Sequence, residues 1–253
     1  MSEDTISGTN GSQKQFEDDS AFAANPAESS RRAFLQIGVG GAVAGILTSA
    51  GAELLNPSPA DAQSDLSPDQ ALKKLLDGNA RFVTGKMTAY RQDLKVLKEK
   101  TLEKQEPFAA VLACADSRVP VEFVFDQTIG HVFVTRVAGN IATAEIIGSL
   151  EYGAAVLGTK VILVMGHRSC GAVKAAIQGA VVPGQISSLF PHIQEAVDKS
   201  GPDVEATAKS NALIQAALLR ESSTVISDMV KQGKVKVVAG YYDLATGTVT
   251  ILE

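Results

Sequence analysis

Val111-Leu112-Ala113-Cys114-Ala115-Asp116-Ser117-Arg118-Val119-Pro120 is the stretch on which the fold turns. Phe108 to Ala113 is an unbroken run of small and branched apolar residues, the pattern of a parallel strand covered on both faces. The run stops at Cys114, Asp116 and Arg118 and is closed by Pro120. In an open α/β sheet, ligands bind beyond the carboxyl ends of the strands. A soft ligand, a hard ligand and a fixed cation at alternate positions there predict a site. A second run, Val161 to Met165, ends at Gly166 and delivers His167 and Cys170. Two strand ends then offer two thiolates and an imidazole, a donor set suited to Zn²⁺.

Each of these residues also has a plainer use. Cys114 and Cys170 are the only cysteines, and two cysteines in an exported chain read by default as a disulfide. A disulfide has no use for Asp116, Arg118 and His167, however, and the five together favour a metal. Asp116 could simply cap a turn, but its two-residue spacing from Cys114 directs both side chains the same way. Of the three histidines, His131 and His192 are assigned to ordinary packing or surface, and only His167 has a thiol three residues on.

Length and composition place the chain among ordinary α/β proteins. It has 253 residues, 45% hydrophobic, with 22 glycines and no tryptophan, which suits one domain. The net charge of −5 is unevenly placed. Residues 1–62 carry three bases (Lys14, Arg31, Arg32) and eight acids, which leaves the remainder formally neutral. No basic stripe appears, which argues against nucleic acid as a partner.

In chain order, Met1 to Ser30 is polar and aperiodic and is expected to be disordered. Arg31-Arg32 then precedes an apolar, glycine-rich stretch from Ile37 to Ala52 and the triplet Ala60-Asp61-Ala62. Paired arginines, a weakly apolar segment and a small-residue cleavage site read as a twin-arginine export signal, cleaved near Ala62. The stretch is shorter than the roughly 20 apolar residues a bilayer span needs, so a stable membrane anchor is not expected. Localisation would be a periplasm or a thylakoid lumen. Residues 63–253 then form a single domain, of which 63–106 are a helical arm.

Ser67-Pro68-Asp69-Gln70 is a capping box opening a helix with a stripe of Leu72, Leu75, Leu76 and Phe82. A second helix is expected over about 91–104. Beyond the site strand come a helical turn over 121–125, a strand over 131–137, and a helix over 142–157 closed by Gly158. After the strand over 160–165, helices are expected from Cys170 to about 178, over 186–198, and over 204–231. A strand over 234–239 precedes a terminal hairpin, Tyr241 to Leu252, turning at Thr246-Gly247. Strands separated by helices predict an α/β fold with a central, mostly parallel sheet flanked by helices.

Cys114-x-Asp116-Ser117-Arg118 and His167-x-x-Cys170-Gly171 closely resemble the paired motifs of the β-class carbonic anhydrases, and the resemblance extends from about Asp65 to Glu253. It implies that fold, one Zn²⁺ per chain held by Cys114, His167 and Cys170, and reversible hydration of carbon dioxide to bicarbonate by zinc-bound hydroxide. It implies that Asp116 is either a fourth ligand or is held off the metal by Arg118, and that it can orient the nucleophile. It places Gln105, Phe133, Tyr152 and Gly171 at substrate-pocket positions, with ordinary strand packing a standing alternative for Phe133. It also implies a homo-oligomer, a dimer or dimer-based tetramer, with the N-terminal helices lying across a partner subunit. Two departures are visible. Val111 occupies a position where some members carry a tryptophan of a bicarbonate pocket that closes the site, which favours the open subtype. Arg136 is followed by Val137 where an asparagine is common. Two other readings stay open: a carbonyl sulfide or carbon disulfide hydrolase on the same site, and a non-catalytic protein stabilised by zinc. Arg118 speaks against the second, since a structural site has no use for a cation competing for its ligand.

Overall fold

Five strands form one sheet in the order β2-β1-β3-β4-β5. They are β1 (Ala109–Ala113), β2 (Val132–Arg136), β3 (Val161–His167), β4 (Lys236–Tyr242) and β5 (Val249–Leu252) in a computed structural model that describes residues 64–91 and 94–252. The first four are parallel and β5 returns antiparallel to β4. The expected α/β class is therefore the observed one. The tail and export signal read in residues 1–62 lie outside the described residues.

The apolar runs are continuous because both faces of the sheet are covered. Ala109, Val111 and Ala113, with Val161, Leu163 and Met165, pack on one side. That side is closed by α1 (Pro68–Val83) and the short α3 (Val121–Val124). Ala110, Leu112, Ile162 and Val164 face the other way. There they meet α4 (Ala144–Glu151), α7 (Val204–Ser222) and α8 (Thr224–Lys231). Three further α-helices, α2 (Leu94–Thr101), α5 (Gly171–Gln178) and α6 (Phe190–Ser200), and two short 3-10 helices, Ala89–Arg91 and Gly184–Leu189, lie among the described residues.

The capping box forms as read, with Ser67 and Gln70 bonded reciprocally. One face of the helix it starts, α1, belongs to its own chain's core. Ala71 and Leu75 are fully buried. Buried Asn79 donates to the carbonyls of Val124 and Gly247 and accepts from the amide of Val249. A Cβ at Gly78 would lie 1.8 Å from the carbonyl oxygen of Phe125, so only glycine permits this approach. The buried face therefore runs through Gly78 and Asn79, and Leu72 and Leu76 sit at its margins.

Other boundaries move for identifiable reasons. β3 does not end at Gly166: it continues through His167, paired with Tyr242. β4 likewise runs through the two tyrosines assigned to the hairpin, because β3 and β5 pair with them. The helix expected over 204–231 is two helices, broken at Ser223. Its hydroxyl caps α8 through the Ile226 amide and donates to Glu151. The helix expected over 142–157 ends its regular part at Glu151 and closes in a wide π turn, Tyr152–Val156.

Candidate metal centre

Cys114 is the first residue past β1, His167 the last of β3, and Cys170 the N-cap of α5. β1 and β3 are neighbours in register, so their carboxyl ends bring the three side chains together. Their ligating atoms all lie within 4.8 Å of one another. All three residues are buried, at 4%, 0% and 1% exposed. Both thiols are free, so the disulfide alternative is not formed.

The imidazole is set for a cation. His167 Nδ1 lies 3.0 Å from the carbonyl oxygen of Arg168, which fixes the proton there and leaves the Nε2 lone pair open. Nε2 is buried and has no hydrogen-bond partner among the described residues. An orphaned buried nitrogen is costly, and here it faces two thiols, the donor set of a zinc site that retains an open position. The residues therefore fit the metal.

Mutual contact pushes the Cys114 and Cys170 thiols in opposite directions. Donation from the Cys170 thiol, with the Gly139 amide 3.3 Å from Sγ adding to it, drives the Cys114 thiol well below its ordinary range. The same donation, with burial, pushes Cys170 up. Thiols ligate as thiolates, so metal binding there releases protons.

Asp116 stands beside this group without joining it. Its Oδ2 is 4.0 Å from His167 Nε2. Arg118 holds the carboxylate through Nε at 2.9 Å and Nη2 at 2.7 Å, and its own amide adds a third bond at 2.9 Å. This fork places the carboxyl far below the usual carboxylate range. The expected pairing of Asp116 with Arg118 is therefore what the structure shows.

Arg136, noted in the sequence only as a departure, has a clear place. Its guanidinium donates to the carbonyl of Cys114 at 3.0 Å and to that of Asp116 at 2.5 Å, pinning the loop that carries both. Its register opposite Ala113 was the available signal, since it puts a cation at the same end of the neighbouring strand. Asn211 and Gln215 on α7, which hold the loop after β2, were missed as well.

The four pocket residues divide. Gly171 begins α5 next to Cys170, with open space beside its Cα. Gln105 and Tyr152 instead line a cavity of about 510 Å³ with Thr101 and Leu157, and the Cys-His-Cys group is not among its walls. Phe133 packs near Tyr152, ring centroids 6.4 Å apart. A single chain does not bring these three side chains to the metal-binding group.

A four-strand parallel sheet with a buried Cys-His-Cys group at its strand ends, and a tethered carboxylate alongside, defines an α/β protein built to hold a metal ion. The family model described as carbonic anhydrase matches residues 109–249. A carbonic anhydrase of Mycolicibacterium smegmatis is 35% identical over 196 residues, covering 73% of this chain and 93% of its own. Carbonic anhydrase 2 of Mycobacterium tuberculosis is 32% identical over 198 residues, covering 74% and 94%. Among solved structures, Coccomyxa β-carbonic anhydrase superposes with a TM-score of 0.57 at 27% identity, over 72% of this chain and 86% of that one. The β-carbonic anhydrase CcaA gives a TM-score of 0.59 at 24% identity over 72% and 87%, a likeness of fold. The chain belongs to the β-class carbonic anhydrase family.

Proposed function

We propose that the chain is a zinc enzyme that hydrates carbon dioxide to bicarbonate and a proton, with Cys114, His167 and Cys170 as ligands and Asp116 held in reserve by Arg118. The observation that carries this reading is the buried, unpartnered Nε2 of His167 facing two free cysteines. Bound there, Zn²⁺ lowers the pKa of a coordinated water from about 15.7 toward about 7, so that a nucleophile exists at neutral pH.

The rest is the work of this chain's side chains. Arg118 occupies both carboxylate oxygens of Asp116 and keeps a hard ligand from closing the fourth position, which a catalytic site requires open. Ionised Asp116 accepts the hydrogen bond of the attacking oxygen and turns its lone pair toward the carbon of carbon dioxide. Arg136 fixes the backbone of both residues, so the orientation is set before substrate arrives. The proton released with bicarbonate passes to solvent buffer.

Assembly and export complete the proposal. A homo-oligomer is supported by exposed apolar surface at Leu102 (78%), Tyr152 (47%) and Val156 (43%). The Sordaria macrospora β-carbonic anhydrases that share this fold are described as tetrameric. Export by the twin-arginine route is supported by Arg31-Arg32 and the segment after it. Among the described residues no helix is long and apolar enough to cross a membrane. A folded export route also lets both thiols take up metal before an oxidising compartment can pair them.

The test is zinc content and hydration rate on the same preparation, beside carbonyl sulfide hydrolysis. About one zinc per chain and fast hydration are expected, with Cys114→Ser losing both. Zinc-replete protein that hydrolyses carbonyl sulfide and leaves carbon dioxide untouched would overturn the substrate.

A further inference from the structure

The buried face of α7 is built from Ala208, Ala212, Ala216 and Leu219, yet it also carries two amides, Asn211 and Gln215, at 0% and 1% exposed. Burying amides is unfavourable unless their bonds are made, and here each amide sends one bond to the same turn. Asn211 Nδ2 donates to the carbonyl of Gly139 at 2.8 Å. Gln215 Oε1 accepts the amide of Ala142 at 2.8 Å, while its Nε2 donates to the carbonyl of His192 at 2.9 Å and to Asn211 Oδ1 at 3.3 Å.

That turn ends on the metal-binding group. Gly139 and Asn140 are consecutive left-handed residues, φ +78° and +45°, a conformation that costs an asparagine energy unless the surroundings impose it. The turn does little to hold itself: the Asn140 side-chain amide is buried without a partner, and one internal bond, from its backbone N–H to the Val137 carbonyl, closes the loop. From this turn the Gly139 N–H reaches Cys114 Sγ at 3.3 Å. A Cβ at Gly139 would meet Ile193 Cδ1 at 2.8 Å, so α6 closes the other side.

The geometry points to Asn211, braced by Gln215, as a positioning residue that aims the Gly139 N–H at the Cys114 sulfur and so tunes the thiolate offered to the metal. This rests on the zinc reading above. A hydrogen bond to a thiolate draws charge from its lone pair, so the sulfur gives less to the cation and the cation stays more electrophilic. Partners one shell out from a metal commonly govern affinity or activity by about 10–100-fold. Simple loop support would not require the bond to end on a ligand.

The experiment replaces zinc by Co²⁺ in the full-length protein and records the thiolate-to-cobalt charge-transfer band, together with zinc release to a chelator. Wild type is compared with Asn211→Leu, with Asn211→Ser should the leucine variant not fold, and with Leu219→Ala. The last removes an equally buried side chain from the same helix. The Asn211 variants are expected to move the band to longer wavelength and, because a sulfur freed of that hydrogen bond gives more charge to the metal, to release zinc about tenfold more slowly. Leu219→Ala should lower the melting temperature and leave the band in place. An unchanged band and release rate in the Asn211 variants, or an equal shift in Leu219→Ala, would overturn the role of Asn211 while leaving the zinc site standing. Wild-type protein that shows no cobalt band would overturn both.

Discussion

Replacing Gly166 by alanine separates two explanations for that glycine. As a strand-ending turn it would tolerate a methyl group; as a point of close approach it would not. The structure supports the second, since β3 runs straight through Gly166 and a Cβ there would lie 2.7 Å from the carbonyl oxygen of Ala208 and 3.4 Å from Ala212 Cβ. Ordinary contact begins near 3.4 Å, so α7 and β3 must part by about 0.7 Å. Ala208 and Ala212 are 2% and 0% exposed, and the obstructing atom is backbone that no rotamer change can move. Overpacking of this kind costs about 1–3 kcal/mol, or roughly 2–12 °C of melting temperature for a chain of this size. The displaced residue is followed directly by His167, whose Nε2 must meet the two sulfurs. Misplacement approaching an ångström can cost about 10²-fold in rate, so a loss of at least about tenfold is expected in carbon dioxide hydration, with weaker zinc retention. Thermal unfolding, zinc content and stopped-flow hydration on one preparation provide the check. Wild-type values for all three would refute the packing of α7 on Gly166.

Other expectations follow from single contacts. Arg118→Ala should retain zinc yet lose nearly all hydration, because the carboxylate of Asp116 is freed to close the fourth position; near-normal turnover with zinc bound would end the gate mechanism. Asp126→Asn should cost about 1–3 kcal/mol at neutral pH, since buried Asp126 accepts from Arg81, Thr88 and Ala89 and an amide turns a donor toward some of them. Those bonds hold the carboxyl below its usual range against the opposing effect of burial. Its stabilisation is therefore full above an unfolded-state pKa of about 3.9 and is lost as the pH falls through the lower folded value. The wild-type advantage in denaturant melts should narrow below about pH 4, and a difference that grew on acidification would reverse the assignment. Replacing Arg31 and Arg32 by lysines should retain full-length protein in the cytoplasm, read by fractionation against wild type beginning near Gln63.

The parts of this molecule that were legible in advance are those decided locally. Phe108–Ala113 and Val161–Met165 could only be covered strands, and the chemistry of Cys114, Asp116, Arg118, His167 and Cys170 marked their ends. The capping box at Ser67 is also local. What could not be read depends on partners distant in sequence. Gly166-His167 belong to a strand because Tyr241-Tyr242 pair with them. The break at Ser223 had a local sign in Ser222-Ser223-Thr224, but the apolar spacing on either side outweighed it. Asn79, Asn211 and Gln215 look like ordinary polar positions on helices until the carbonyls and amides they serve arrive from elsewhere. Gln105, Phe133 and Tyr152 were grouped with the metal ligands by resemblance, while in one chain Gln105 and Tyr152 line a separate cavity and Phe133 packs near Tyr152.

The arrangement also says why the metal-binding group and the fold stand or fall together. One ligand lies just past β1, one is the last residue of β3, and one caps α5, so no two of the helices or strands can move apart without separating donor atoms. Arg136 reaches the same loop from β2, and α7 reaches it through Gly139. Strands β1, β2 and β3 and the longest described helix therefore all press on a group of three side chains. An unfolded chain has no such group, so the free energy of binding a metal there adds to the free energy of folding. Before metal arrives, the cost sits in a buried imidazole nitrogen without a partner among the described residues, beside two buried thiols. The sheet and α7 must already be stable enough to hold that poise, which explains why both are packed with residues as small as Ala208, Ala212 and Gly166: close backbone contact leaves the ligands no room to relax away from one another.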